Sequence, residues 1–317
     1  MKLRVAVAGA GVFGRHHMRV LRTLDTAELT GVFDIDSARA AQAAAEHGVQ
    51  TFDSLEALAA NADAAIVAVP TTAHASTGCH LLNAGLDVLV EKPIAPTLEE
   101  ADRLLAAAAR NNKLIQVGHL ERFNPAVEAL AAKITVPLFF EIHRLSLFTP
   151  RSLDVDVVLD LMIHDIDIVL ALTKMMPEEV RAAGISILSK KVDIANVRLA
   201  FPGGCVANLT ASRVSTEKVR KVRLFQPHEY ISIDYADQKG IAFRVSPQKQ
   251  IGFEPFVIQK DEPLRREVAH FVDCVTQRTS PRVDGLEARR ALAVALDILE
   301  KIEAHAAIIS ATLAAQQ

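Results

Sequence analysis

The chain has no tryptophan, only two tyrosines and only three cysteines in 317 residues. Cys79, Cys205 and Cys274 lie far apart and are odd in number. That excludes a disulfide scaffold and a cysteine-based zinc motif, and it fits a reducing compartment. No charge of one sign is in excess: 35 Lys+Arg stand against 38 Asp+Glu, for a formal net charge of −3. This balance excludes the electrostatic footprint of a nucleic-acid binder and a polybasic membrane patch. The longest apolar runs are alanine-rich or strand-sized, short of the ~18–20 residues of a membrane span. Internal repeats and low-complexity tracts are missing too. The chain enters a strand at once (Lys2-Leu3-Arg4-Val5-Ala6-Val7), which leaves no room for a signal peptide there. What is present is ordinary globular composition, 50% hydrophobic and 23% charged, at a length that suggests two domains. The expectation is a soluble, cytoplasmic, two-domain protein.

The first 120 residues alternate apolar strand-sized runs (3–8, 29–33, 64–69, 87–91, 114–118) with helical stretches near 13–24, 37–46, 54–60, 72–84 and 97–110. Runs that are continuously apolar, each followed by a helix, predict a parallel sheet buried on both faces. Later the pattern changes. One long helix is expected over 156–172, then period-two strands at 193–201, 205–214, 219–226 and 230–234, and two closing helices at 264–276 and 286–306. Strict alternation implies antiparallel pairing with one wetter face. The fold class is therefore α/β: a Rossmann dinucleotide-binding domain over 1–120, then an α+β domain over 121–317 with a largely antiparallel open sheet. The second domain is assigned substrate binding and oligomerisation, as a homodimer or homotetramer through that sheet.

Gly9-Ala10-Gly11-Val12-Phe13-Gly14 is a G-x-G-x-x-G that follows a strand and opens a helix, and Asp34 ends the second strand about 20 residues on. Gly9 serves the tight turn, Gly11 the approach of a pyrophosphate, and Gly14 close helix–strand packing. The N–H groups at Val12 and Phe13 belong to a helix amino terminus that favours phosphate. Asp34 is suited to a ribose diol and repels a 2′-phosphate, so NAD is favoured over NADP; Arg39 lies close enough in sequence to soften that preference. Pro70, Thr71 and His74 follow the third predicted strand, and Glu91 and Lys92 end the fourth. Both ends lie on the edge where doubly wound sheets bind ligands. These residues are expected at the cofactor, with Lys92 nearest the nicotinamide.

At 100° per residue, Asp156, Asp160, His164 and Asp167 share a stripe ~80° wide on an otherwise apolar helix. Buried carboxylates and a histidine on one stripe are costly without a task. A satisfied structural network, a metal site and a His164 base oriented by Asp160 all fit that pattern, metal least, for want of a second ligand pair. His119, Arg122 and Asn124, leaving the fifth predicted strand, are suited to a polyol or phosphate, although Asn124 equally reads as a helix cap. Arg144 and Arg151 join Arg122 as candidates for pairing with a diphosphate.

The glycine fingerprint, Glu91-Lys92-Pro93, the 118–123 segment and Asp160-x-x-x-His164 occur in the order seen in the glucose–fructose oxidoreductase/inositol dehydrogenase (Gfo/Idh/MocA) family, which the chain resembles over essentially its whole length. The resemblance implies an NAD(P)-dependent oxidoreductase in which Lys92 and His164 assist hydride transfer and Asp160 supports His164; no metal is expected. Met162 stands where the family often has glycine, which bears on the pocket rather than the reaction. Residues 117–126 and 154–167 further resemble the branch that oxidises UDP-N-acetylglucosamine at C3. Inositol or free-hexose oxidation, and a silent dinucleotide-binding regulator, are the alternatives, since a Rossmann fold alone does not prove turnover.

Overall fold

The computed structural model describes residues 2–148, 155–188 and 191–314. The chain forms two units, Met1–Phe123 with Glu262–Arg289, and Asn124–Asp261 with Arg290–Gln317.

Unit 1 runs β1 (Leu3–Ala8), α1 (Val12–Leu21), β2 (Ala27–Phe33), α2 (Ser37–His47), β3 (Gln50–Thr51), α3 (Leu55–Ala60), β4 (Ala64–Val67), α4 (His74–Asn83), β5 (Asp87–Val90), α5 (Leu98–Arg110) and β6 (Ile115–Val117). The strands are all parallel, in the order β3-β2-β1-β4-β5-β6. The order reverses direction between β1 and β4, the place where such sheets open a ligand crevice at their carboxyl ends. Local chemistry starts the helices: Asp36, Ser54 and Thr97 accept the N–H of Arg39, Ala57 and Glu100 as caps of α2, α3 and α5. Inside β4 and β5 every residue is buried, which explains their unbroken apolar runs.

Unit 2 contains α6 (Pro125–Lys133), β7 (Phe139–Leu147), α7 (Ile163–Thr173), β8 (Glu179–Ile185), β9 (Ile194–Ala200), β10 (Val206–Ser215), β11 (Val219–Gln226), β12 (Glu229–Asp234), β13 (Lys239–Val245) and β14 (Ile251–Pro255). Its eight-stranded sheet has the order β14-β13-β12-β11-β7-β10-β9-β8. Only β7 and β10 pair in parallel; the other neighbours are antiparallel. Alternate residues of these strands (Phe140, Ile142, Val197, Leu199, Ala207, Leu209, Val222, Leu224, Ile231, Ile233) form one apolar face. Ala126 and Leu130 of α6 and Ile166 and Val169 of α7 pack in the same core. At the β9–β10 hairpin Gly203 and Gly204 take φ of +83° and +89°, a region other residues adopt only with strain.

Two expectations need correction. First, residues 121–317 are not one unit. The helix α8 (Pro263–Gln277) sets Val268, Phe271, Val272 and Val275 in the core of unit 1 with Met18 and Leu21 of α1, an i, i+3, i+4, i+7 stripe that needs an apolar partner. The last helix, α9 (Gly285–Ala314), begins with residues of unit 1 and continues in unit 2. Second, the helix expected over 156–172 is not regular. Residues Val158–Met162 form a π-helical turn before α7, so positions before the turn are out of phase with those after it. Strand β7 escapes sequence reading because Arg144 occupies its buried face after Phe140 and Ile142, breaking the apolar alternation.

Candidate active site

In unit 1, Gly9 has φ of +104°, and a Cβ there would come within 2.4 Å of Ala68 O at the end of β4. A Cβ on Gly14 would lie 1.8 Å from Gly9 O. The chain's own packing therefore demands both glycines. Gly11 is different: a Cβ there would meet nothing within 4 Å. No side chain caps α1 and no acid sits in its first turn, and Val12 and Phe13 are exposed. Open N–H groups beside a cleared backbone suit the diphosphate of a dinucleotide. Asp34 is nearly buried, with Oδ2 accepting Ala10 N–H at 2.8 Å and Oδ1 accepting Asp36 N–H at 2.9 Å. The carboxylate is thus locked to the glycine turn. Arg39 Nη1 stands 3.7 Å from it. Asp34→Ala should weaken NAD binding about tenfold or more and narrow the preference over NADP, because a charge-assisted acceptor and the phosphate-repelling charge leave together. Fluorescence titration with both cofactors checks this; unchanged affinities would remove Asp34 from the site.

Beyond β5 the Lys92–Pro93 peptide is cis. His74, at the start of α4, braces this turn, with Nδ1 2.9 Å from Pro93 O and Nε2 3.0 Å from Val69 O. Burial depresses its pKa below the ordinary histidine value while the two carbonyls oppose that shift, and in its neutral form the ring donates its single N–H to one of them. Glu91 is buried and meets buried His17 of α1 at 2.7 Å. Lys92 is half-buried, as is Thr71, while Pro70 is exposed. His119, past β6, is buried, and its pKa is pushed down to about 3 by burial, with the charges of Arg122 and Lys92 adding to the effect. A ring of that basicity does not remove a hydroxyl proton near neutrality; it offers a neutral hydrogen-bonding group. The Arg122 guanidinium lies 3.0 Å from Glu287.

In unit 2, Asn124 caps α6, its Oδ1 accepting Ala126 N–H at 3.0 Å and its Nδ2 donating to Tyr235 O at 2.8 Å. Asp160 lies half-buried within the π-helical turn, and His164 and Asp167 are buried in α7. Turns of this type recur at functional sites because they re-aim side chains. Asp156 does not share their environment: its Oδ1 accepts Val192 N–H at 2.9 Å and its Oδ2 lies 3.6 Å from Lys191 Nζ. Arg144 is no diphosphate ligand. It is buried and forks onto Asp165, both bonds at 2.9 Å, while Tyr235 Oη donates to Asp165 Oδ1 at 2.8 Å. Arg151 lies outside the described residues. Among the described residues no group of three or more His, Cys, Asp or Glu is placed to hold a metal.

Sequence reasoning missed His17 and the Arg144–Asp165–Tyr235 cluster. A signal for His17 was available: it lies one helical turn beyond Gly14 on the inward face of α1, with Met18 and Leu21. For Arg144 there was none, since its partners come from distant segments.

A doubly wound sheet whose crevice carries this glycine turn, acid and lysine defines a dinucleotide-dependent oxidoreductase. Residues 3–119 match the family model described as oxidoreductase family, NAD-binding Rossmann fold, and residues 140–226 match the GFO/IDH/MocA C-terminal domain. The chain is 35% identical over 308 residues to the UDP-N-acetylglucosamine 3-dehydrogenase of Acidithiobacillus ferrooxidans, covering 95% of this chain and 98% of that protein. A solved structure of that enzyme superposes with a TM-score of 0.91, covering 96% and 99% of the two chains. An inositol 2-dehydrogenase of Paenarthrobacter aurescens is 39% identical over 137 residues, 41% of each chain. An oxidoreductase of Agrobacterium radiobacter, solved with NAD+, L-tartaric acid and magnesium, shares the fold at a TM-score of 0.86 and 16% identity, covering 96% and 97% of the two chains. The chain belongs to the GFO/IDH/MocA oxidoreductase family, and its first domain is that family's NAD-binding Rossmann fold.

Proposed function

We propose that the protein is an NAD-dependent dehydrogenase that oxidises a secondary hydroxyl of a sugar nucleotide, C3 of UDP-N-acetylglucosamine in the preferred reading. The observation that carries it is the reach of the similarity. The UDP-N-acetylglucosamine 3-dehydrogenase matches over 98% of its length, whereas the inositol 2-dehydrogenase matches over 41%. The bound dinucleotide supplies a hydride acceptor. Gly11 and the amino terminus of α1 hold its diphosphate, and Asp34 takes a ribose hydroxyl. Lys92 donates a hydrogen bond to the reacting oxygen, and His164 takes the hydroxyl proton with Asp160 supporting it. Such base catalysis contributes typically about 10²–10⁴-fold. The neutral His119 ring, with Arg122, Asn124 and Asp167, serves substrate orientation, and the reaction is placed in the cytoplasm. A panel of UDP-sugars, inositols and free hexoses with NAD, read by NADH absorbance, tests the substrate. Turnover of inositol in preference to UDP-N-acetylglucosamine would overturn it, and no turnover of any would revive the silent regulator.

The sheet of unit 2 supports a second part of the reading, a homo-oligomer. Phe139, Phe225, Tyr230, Phe243 and Phe253 stand on neighbouring strands in register, with ring centroids 5.8, 4.9, 5.9 and 5.3 Å apart in turn. They lie on the face opposite the apolar core, and Phe225 and Phe253 are exposed. A contiguous apolar row of this kind is self-complementary across a two-fold axis. Light scattering at micromolar concentration should give a dimer or tetramer, and Phe225→Glu with Phe253→Glu should lower the mass. A monomeric wild type would overturn this.

A further inference from the structure

We propose that His17 is a positioning residue for Lys92, acting through the buried carboxylate of Glu91; this rests on the role given to Lys92 above. The two ends of the contact come from functionally different places. His17 sits on α1, the helix whose amino terminus is the glycine turn, and Glu91 immediately precedes Lys92. His17 Nε2 donates to Glu91 Oε1 at 2.7 Å, since an ionised carboxylate can only accept. The other carboxylate oxygen accepts the backbone N–H of Lys92 at 3.2 Å. The third wall is Gly118 beyond β6, where a Cβ would lie 3.0 Å from Glu91 Oε2 and crowd this carboxylate. The consequence is a fixed negative charge held directly against the Lys92 backbone and tied by one hydrogen bond to the phosphate-facing helix.

The pair is also electrostatically committed. Burial opposes the Glu91 charge, but the hydrogen bond and field of His17, together with Lys92, outweigh it and hold the carboxyl below its usual range. The titratable groups that act on Glu91 or feel it are His17 from α1, Lys92 on the same turn, His74 from α4 and His119 beyond β6. With the His17 donor removed, only Lys92 still opposes burial and the Glu91 pKa rises. The charge behind Lys92 is then lost as pH falls through the raised value and restored above it.

The experiment uses the full chain with His17→Leu, which removes the donor, and His17→Gln, which places an amide N–H where Nε2 was. The Glu91 carboxyl is followed by NMR of protein labelled with [13C]glutamate, its signal assigned by its loss in Glu91→Gln. His17→Leu should titrate Glu91 at higher pH than wild type. With NAD and UDP-N-acetylglucosamine, its kcat should fall about tenfold or more below that pH, as expected when a reacting group is misplaced, and recover above it. The KM for NAD should stay within about twofold, and His17→Gln should restore most of the loss. A wild-type Glu91 titration and kcat in His17→Leu overturns the proposal, and so does a loss of kcat that is uniform in pH with Glu91 unmoved. If His17→Leu does not fold, Glu91→Gln decides: a loss of about tenfold or more supports the role, and an unchanged kcat overturns it. Lys92→Ala separates this from the reading beneath it. Full activity there removes Lys92 itself, whereas an inactive Lys92→Ala beside a wild-type His17→Leu removes only the positioning role.

Discussion

Lys92→Ala and His164→Asn should each lower kcat by about 10²-fold or more, on the order of 3 kcal/mol of transition-state stabilisation, with NAD affinity little changed. An alcohol gives up hydride only as its proton leaves, so the enzyme needs a hydrogen-bond donor at the oxygen and a base for the proton. Lys92 is a half-buried cation on a turn braced by His74 and Glu91, and His164 is an imidazole seated in an apolar helix. In the proposed mechanism both act on one oxygen, so the double variant should lose less than the product of the singles. The helix keeps its apolar contacts in His164→Asn, so folding and NAD binding should survive. Steady-state kinetics with NAD titration checks both variants, and an unaltered kcat in His164→Asn would remove it from the mechanism.

Truncating the Arg144–Asp165 pair should have the largest effect on stability. Both side chains are about 1% exposed, two hydrogen bonds join them, and Tyr235 takes a further lone pair of Asp165. Removing either partner strands a charge where water cannot reach it, which costs about 3–5 kcal/mol. Arg144→Ala and Asp165→Ala should therefore show clearly lowered urea midpoints. Replacing both with apolar residues of similar volume should cost less than either truncation alone, since no charge is then stranded. Wild-type midpoints in the single variants would show that the pair contributes nothing. Asp165 adjoins His164 in sequence, so the cluster fixes the segment of α7 that carries the proposed base.

Much of the fold of unit 1 was legible in the amino-acid sequence. Short continuous apolar runs, each followed by a helix, fit strands buried on both faces, glycine is the residue that survives the Gly9 and Gly14 contacts, and caps such as Thr97 act within one turn. These are local constraints, and local constraints leave local patterns. The hairpin through Gly203 and Gly204 and the two closing helices were legible for the same reason. The remainder depended on which distant segments meet in the folded chain. The stripe assumed one helical period from Asp156 to Asp167, but a π-helical turn intervenes and Asp156 is bound at Val192. Arg144 looked like a cation awaiting an anion, yet its anion is Asp165, brought up by a helix from another part of the chain. The sequence marks His17 and Glu91 as separate residues 74 positions apart, and the fold makes them one buried contact. A polar residue's partner depends on which segments meet around it. Burial makes that partner obligatory, but only the folded chain shows which residue it is.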